Sequence, residues 1–368
     1  MKIKILCILV FVFAWATCSW PVDVEPTARS VIEPVPFKWD GKTVLAYELF
    51  VRDVALNDLT IKSLDVSNGD PGGDLIAHIE GEGLIEISQK LENQMEDFVI
   101  FMWLTFENSL LPKTLKHKIT FTNSSENVSY LETNINVSNK TAKVISPPVK
   151  GDKWLAYNGP SNNDHHHRRT LMYYMGIPFL SQRFAIDWLK FTKNNRPFKS
   201  KGDKNTDYSD YGDSIYSVAD GTVVDVRKGL PDNTPLDTPA VPITLGTASG
   251  NYVIVDIGDH IYAFYAHLIP GSIRVRVGQK VEKGQFLGRL GNSGNSGGPH
   301  LHFHLCDSPD AIFSQGVPYV FETYIDLGTY KGTYKDDEGP RIPWIPDSTP
   351  KIVDDELPFR NEVISFSH

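Results

Sequence analysis

The apolar residues of this chain come in short extended runs, and no other feature of the sequence restricts the fold as much. Leu45, Tyr47, Leu49 and Val51 occupy alternate positions, which places them on one face of a strand. Val99 to Phe106 is a compact apolar run, and Lys118 to Phe121 is a shorter one bounded by Asn and Ser. Further along, strands are expected over Phe184 to Leu189, Gly221 to Val226, Tyr252 to Ile257, Ile261 to His267 and Leu301 to Leu305, with glycine turns such as Val277 to Gly284 between them. Short strands punctuated by polar and glycine turns predict an all-β protein. Leu84 to Met95 reads equally as a short helix or as another strand pair.

A chain of 368 residues is long enough for two domains. Residues 35–147 predict an immunoglobulin-like β-sandwich. This part carries no metal-ligand cluster or nucleophile motif, so a binding, spacing or positioning role is expected. Ser146-Pro147-Pro148 to Gly151 reads as a linker, because Pro-Pro is extended and cannot continue a ladder. Residues 152–328 then form an antiparallel β domain. Residues 329–368, with Pro340, Pro343, Pro346, Pro350 and Pro358, read as an extended tail. The stretch Gly229 to Gly250 contains four prolines, and a loop of that length in a compact domain is usually functional, often a rim or lid.

A formal charge of −9 leaves no electrostatic footprint for nucleic acid. Lys2 and Lys4, the apolar run Ile5 to Trp15 and the triplet Ala14-Trp15-Ala16 have the anatomy of a secretory signal over residues 1–18. The run is too short for an ordinary membrane span. A secreted or periplasmic protein with no membrane span after signal removal is therefore expected. Of the three cysteines, Cys7 and Cys18 fall in or beside the signal, which leaves Cys306; a lone cysteine cannot staple the fold. Asn-x-Ser/Thr sequons at Asn123, Asn127, Asn136 and Asn139 are what Asn-rich strands and turns produce by chance.

The chemistry is concentrated in the histidines. There are 11, and only His78 and His117 precede residue 165. In Pro299-His300-Leu301-His302-Phe303-His304, residues two apart share a strand face, with backbones about 7 Å apart. His300 and His302 therefore project together, as one metal ligand and a neighbouring acid/base would. His304 shares their face one step further on, beside the groove or behind the ligand. Phe264-Tyr265-Ala266-His267-Leu268 is an apolar strand ending in a histidine, and Asp187 is a carboxylate inside the apolar run Phe184 to Trp188. A buried carboxylate needs a partner, and a cation or metal is the usual one.

These pieces resemble the lysostaphin/LytM-type zinc metallopeptidases, in family order. The matching stretches are Ala185-Ile186-Asp187, Tyr211 to Val223, Gly250 to Asp256, Tyr265-Ala266-His267-Leu268, Val277 to Gln285, and Gly291 to Phe303 with its Pro-His-Leu-His-Phe. The resemblance covers about a third of the chain. It implies that Asp187 and His302 are zinc ligands, and that His267 and His300 are the two unligated histidines that move protons. It further implies hydrolysis of a peptide bond in peptidoglycan cross-bridges or stem peptides.

One position departs from the family. The first histidine ligand would lie four residues before the aspartate, where this chain has Arg183, and a guanidinium has no free lone pair for zinc. On a regular strand Arg183 would share a face with Asp187 and point at the metal position. Two explanations stand. In one, Asp164-His165-His166-His167-Arg168-Arg169 folds back to supply the missing ligand, His167 first and His166 second. In the other, Arg183 pairs with Asp187, no zinc binds, and the domain is a degenerate wall-binding or regulatory module.

Overall fold

The computed structural model describes residues 25–55, 58–92, 94–107, 111–162, 166–332 and 342–366. The expected signal therefore lies outside the described residues. The fold is built almost wholly of strands, with one α-helix among the described residues, Gly81–Ile87, followed by the short strand Ser88–Lys90. The ambiguous stretch before Met95 is thus part helix and part strand.

The N-terminal part is a sandwich. One sheet has Lys42–Arg52 at its centre, flanked by Thr27–Arg29, Phe37–Trp39 and Phe98–Phe106, with Ser88–Lys90 beyond; the other runs Leu75–Glu80, Leu59–Asn68, Thr114–Asn123, Val128–Asn136. Leu45, Tyr47, Leu49 and Val51 meet Leu64, Val66, Leu115, Ile119 and Phe121 between them. The alternation read from the sequence is the alternation of this core. Lys42–Arg52 is buried on its second face as well. There Val44 and Ala46 join the core of the C-terminal part, and Phe50 packs with Leu180. The sandwich is therefore welded to the C-terminal part.

That second part is centred on an 11-stranded sheet. Its middle runs Gly151–Tyr157, Ile186–Lys190, Leu301–Cys306, Tyr262–Leu268, Asn251–Asp256, Gly221–Arg227, each antiparallel to the next. Leu301–Cys306 is buried throughout. Leu301, Phe303 and Leu305 enter the main core with Tyr265, and the alternate residues His302 and His304 face Phe264 on the opposite side.

Two expectations about segments are corrected. Residues 329–368 are not merely an extended tail: Lys351–Glu356 and Glu362–Phe366 are strands, and the latter inserts between Tyr319–Thr329 and Gly151–Tyr157. Prolines end before this last strand, and Val363 and Ile364 are buried, so its apolar side chains fill the core. Lys143–Ile145, expected in the sandwich, pairs in parallel with Tyr319–Phe321 and belongs to the larger sheet.

Candidate metal centre

Asp187 lies opposite His302 in the antiparallel register of Ile186–Lys190 and Leu301–Cys306, so strand pairing alone brings carboxylate and imidazole together. His302 Nδ1 is 3.1 Å from Asp187 Oδ1. The same oxygen lies 3.4 Å from His300 Nε2 and 3.5 Å from His167 Nε2. Tetrahedral zinc with nitrogen and oxygen ligands at roughly 2.0–2.1 Å separates its ligand atoms by about 3.3 Å. Three imidazoles thus surround one carboxylate at the spacing of such a site. All four side chains are buried.

His167, His300 and the nearby His267 are each oriented by a hydrogen bond to a backbone carbonyl, which settles their tautomer. His167 Nδ1 donates to the Asn158 carbonyl at 2.7 Å, which turns Nε2 toward Asp187. His300 Nδ1 donates to the Gly298 carbonyl at 3.0 Å and faces Ser296 Oγ at 3.1 Å. His267 Nδ1 donates to the Ser293 carbonyl at 2.7 Å, and its ring lies 4.6 Å from that of His300. His267 has φ 63°, an uncommon backbone for a non-glycine residue and one that recurs at functional sites. The neighbouring glycines explain how Ser293 gets there. A Cβ on Gly250 would meet the Ser293 carbonyl oxygen at 2.3 Å, and one on Gly294 would meet the Gly250 nitrogen at 2.3 Å. The two loops touch backbone to backbone, as only glycine permits.

Burial alone would push the Asp187 carboxyl up; the His167 and His300 imidazoles beside it outweigh that and hold it well below the usual carboxylate range. Burial, then the neighbouring imidazoles, depresses His267 well below its ordinary value. Burial also lowers His302, to about 4. Neutral imidazoles with free lone pairs are what a metal ion requires.

Arg183 is not at the metal position. Regular pairing begins at Ile186, and the amides of Arg183 and Ala185 bond back to Leu180 and Gln182. This turn breaks the two-residue period, so counting back from Asp187 fails. The guanidinium instead reaches Glu48 of the sandwich, with Nη2 2.7 Å from Oε2. The Arg183–Asp187 pair on which a degenerate site was premised is absent from the described contacts. The histidine stretch does fold back. His166 Nε2 stands 4.0 Å from Asp187 Oδ2 with its side chain 62% exposed, whereas His167 is 3% exposed. The ligand atoms of His166, His167 and Asp187 lie within 4.8 Å of one another. His165 lies outside the described residues.

Of two further contributors, Asn158 had no sequence signal strong enough to find it, and His304 was expected beside the groove or behind the ligand. Asn158 follows the strand Gly151–Tyr157, whose Tyr157 pairs with Asp187. At φ 49° it orients His167 through its carbonyl and Asp187 through its side chain, Nδ2 to Oδ2 at 2.9 Å. His304 is fully buried, and its Nδ1 is 2.9 Å from His302 Nε2; the shared face was legible, the direct contact was not. The centre forms the floor of an open cavity of about 690 Å³. Leu245, Ala248 and Ser249 from the long proline-bearing loop border it, as do Asn295, Ser296 and Gly297 from the glycine turn. The first of these is the loop that the sequence suggested as a rim or lid.

Residues 204–312 match the family model of peptidase family M23. The chain carries an M23 peptidase domain. Asp187 and His167 lie ahead of the matched residues, while His267, His300 and His302 fall within them. The chain is similar to the peptidoglycan DD-endopeptidases ShyA and ShyB of Vibrio cholerae. With the first it is 37% identical over 94 residues, 26% of this chain and 17% of the relative; with the second it is 32% identical over 94 residues, 26% and 18%. The likeness thus spans less than a fifth of either relative. Among solved structures the chain is similar to the catalytic domain of lysostaphin from Staphylococcus simulans, at 22% identity and TM-score 0.21, covering 35% of this chain and 88% of that one. Among the described residues no helix is long and apolar enough to cross a membrane.

Proposed function

We propose that this protein is a zinc-dependent endopeptidase of the cell envelope that hydrolyses peptide bonds in peptidoglycan cross-links or stem peptides. The observation that carries the reading is the ring of three oriented imidazoles around Asp187 on the floor of an open groove. The donor set fits zinc: one buried carboxylate oxygen with imidazole nitrogens 3.1 Å and 3.5 Å from it, about the ligand–ligand separation of a tetrahedral site. Asp187, His302 through Nδ1 and His167 through Nε2 would hold the ion. When bound, zinc polarises the scissile carbonyl and makes water acidic enough to be deprotonated near neutral pH.

The remaining histidines handle protons. In hydrolysis the water oxygen bonds to the carbonyl carbon, the C–N bond breaks, and a proton from the water ends on the departing amine. His300 and His267 keep their protons on Nδ1, fixed by carbonyl acceptors. Their Nε2 lone pairs are therefore available to take a proton and return it. His302, ligating through Nδ1, would carry its proton on Nε2 and donate it to His304 Nδ1. The peptidoglycan substrate is suggested by the activity in the names of the two relatives. The signal-like residues 1–18 support export to the envelope.

Purified protein should bind one zinc per chain and lose peptidoglycan cleavage when the metal is chelated. His302→Ala should abolish binding, while His300→Ala should keep zinc and lose cleavage. Failure to take up zinc under loading conditions that saturate a known M23 peptidase would refute the reading.

A further inference from the structure

The loop that carries His167 is fastened to the sandwich domain. Asn162 Nδ2 donates to the Phe101 carbonyl at 2.9 Å. Arg169 Nη2 donates to the Glu86 carbonyl at 2.6 Å, and its guanidinium lies 4.3 Å from the Phe101 ring centre. Arg168, the residue after His167, is the deepest anchor. Its Nη2 donates to the carbonyls of Tyr47 at 3.0 Å and Met102 at 3.3 Å, and its Nη1 to Glu48. Glu48 is fully buried at the centre of Lys42–Arg52. The same carboxylate receives Arg183 through Nε at 3.1 Å and Nη2 at 2.7 Å. Arg183 continues to the Gly316 carbonyl and Gln315 Oε1, both at 2.9 Å.

One carboxylate of the N-terminal domain therefore grips two arginines. One adjoins His167; the other lies four residues before Asp187, in the turn that leads into its strand. His167 sits in no helix or strand, so tertiary contacts must set its position. Buried ion clusters are a poor source of stability compared with apolar packing of the same volume, and fixing one geometry is their best-attested use. An extra guanidinium in this cluster makes sense as a positional device.

We propose that Glu48 is a positioning residue of the metal centre, and that the sandwich domain completes that centre by holding Arg168, and through it His167, against Asp187. This rests on the metal-binding reading above. It turns the arginine that stands in a ligand's place from an obstacle into part of the replacement: residue 183 leaves the metal to grip Glu48, which fixes the loop supplying the new imidazole.

The test is a four-protein cycle in the full chain: wild type, His167→Ala, the triple variant Glu48→Met/Arg168→Met/Arg183→Met, and the triple variant with His167→Ala added. Zinc dissociation constants come from competition with a chromophoric chelator, ligand geometry from the visible absorption of the cobalt-loaded proteins, and folding from metal-free thermal unfolding. The triple variant removes every charge of the cluster and leaves none buried alone. If the proposal holds, it unfolds cooperatively, binds zinc 10- to 100-fold more weakly, and shows a changed cobalt spectrum. Adding His167→Ala then costs it far less than the same change costs wild type. A folded triple variant with wild-type zinc affinity and spectrum, or effects that add in full, overturns the proposal. If the triple variant does not fold, Arg168→Lys takes its place in the cycle with the same criteria, since it keeps the charge beside Glu48 and removes the fork to Tyr47 and Met102. Absence of zinc binding in wild type would instead defeat the metal reading itself.

Discussion

Asn158 offers a way to separate backbone from side chain at the metal centre. Its side-chain amide donates to a buried carboxylate oxygen at 2.9 Å, and a hydrogen bond to a charged group contributes about 1.5–3 kcal/mol. Its backbone is left-handed at φ 49°, which Asn tolerates and which costs most L-residues roughly 1–2 kcal/mol. Asn158→Ala loses both, so the metal-free protein should be less stable by about 2.5–5 kcal/mol. Asn158→Gly keeps the backbone and loses only the bond, apart from about 0.4–1 kcal/mol from the freer unfolded chain; it should be the more stable of the two. Both variants free Asp187 Oδ2, and both should weaken zinc binding by about 10-fold or more. Urea unfolding of the metal-free proteins gives the first quantity, and chelator competition gives the second. If Asn158→Gly binds zinc like wild type, the amide does not orient Asp187. If Ala and Gly are equally stable, the left-handed backbone is not the constraint described.

Two further outcomes arise from buried polar groups. His304→Ala removes the hydrogen-bond partner of His302 Nε2; it should weaken zinc about 10-fold by equilibrium competition, with an unchanged affinity refuting the contact's role. Glu362 is pushed up to about 7 by burial, with Asp326 and Glu356 adding to it and the Trp39 indole opposing. Its folded-state pKa exceeds its unfolded one, so its stabilising effect is complete below about 4.5 and is lost as pH rises through 7, by at most about 3 kcal/mol. Glu362→Gln should therefore flatten the fall in stability between pH 5 and 7.5 in urea titrations, and a steeper fall in the variant would contradict the assignment.

Much of the centre was legible because it is written in local periods. His300 and His302 share a strand face, His267 ends an apolar strand, and Asp187 is a carboxylate inside such a run. The length and prolines of Gly229 to Gly250 marked a rim. What could not be read depends on distance or on broken period. Asn158 matters only because Tyr157 pairs with Asp187 and because its backbone turns left-handed. Arg183 was projected onto the metal by counting in twos across residues 180–185, which are a turn. His167 was inferred from a ligand deficit, while its anchor Glu48 sits more than a hundred residues away in sequence, on the strand face opposite the sandwich core. The final strand was obscured by prolines upstream and by Asp354, Asp355 and Glu356, which outweigh a short apolar run.

That final strand sets an order of events. Gly151–Tyr157, which pairs on one side with the strand bearing Asp187, pairs on the other with Glu362–Phe366, so that Trp154 waits for Ile364. As the chain emerges from the ribosome, the sheet beneath the metal centre keeps an open edge until residue 366 has been made, and contacts so far apart in sequence form slowly. The site bearing Asp187 thus rests on a sheet that is incomplete until Glu362–Phe366 has been added. A single cut between residues 342 and 362 would separate the covalent chain from a strand on which that site leans.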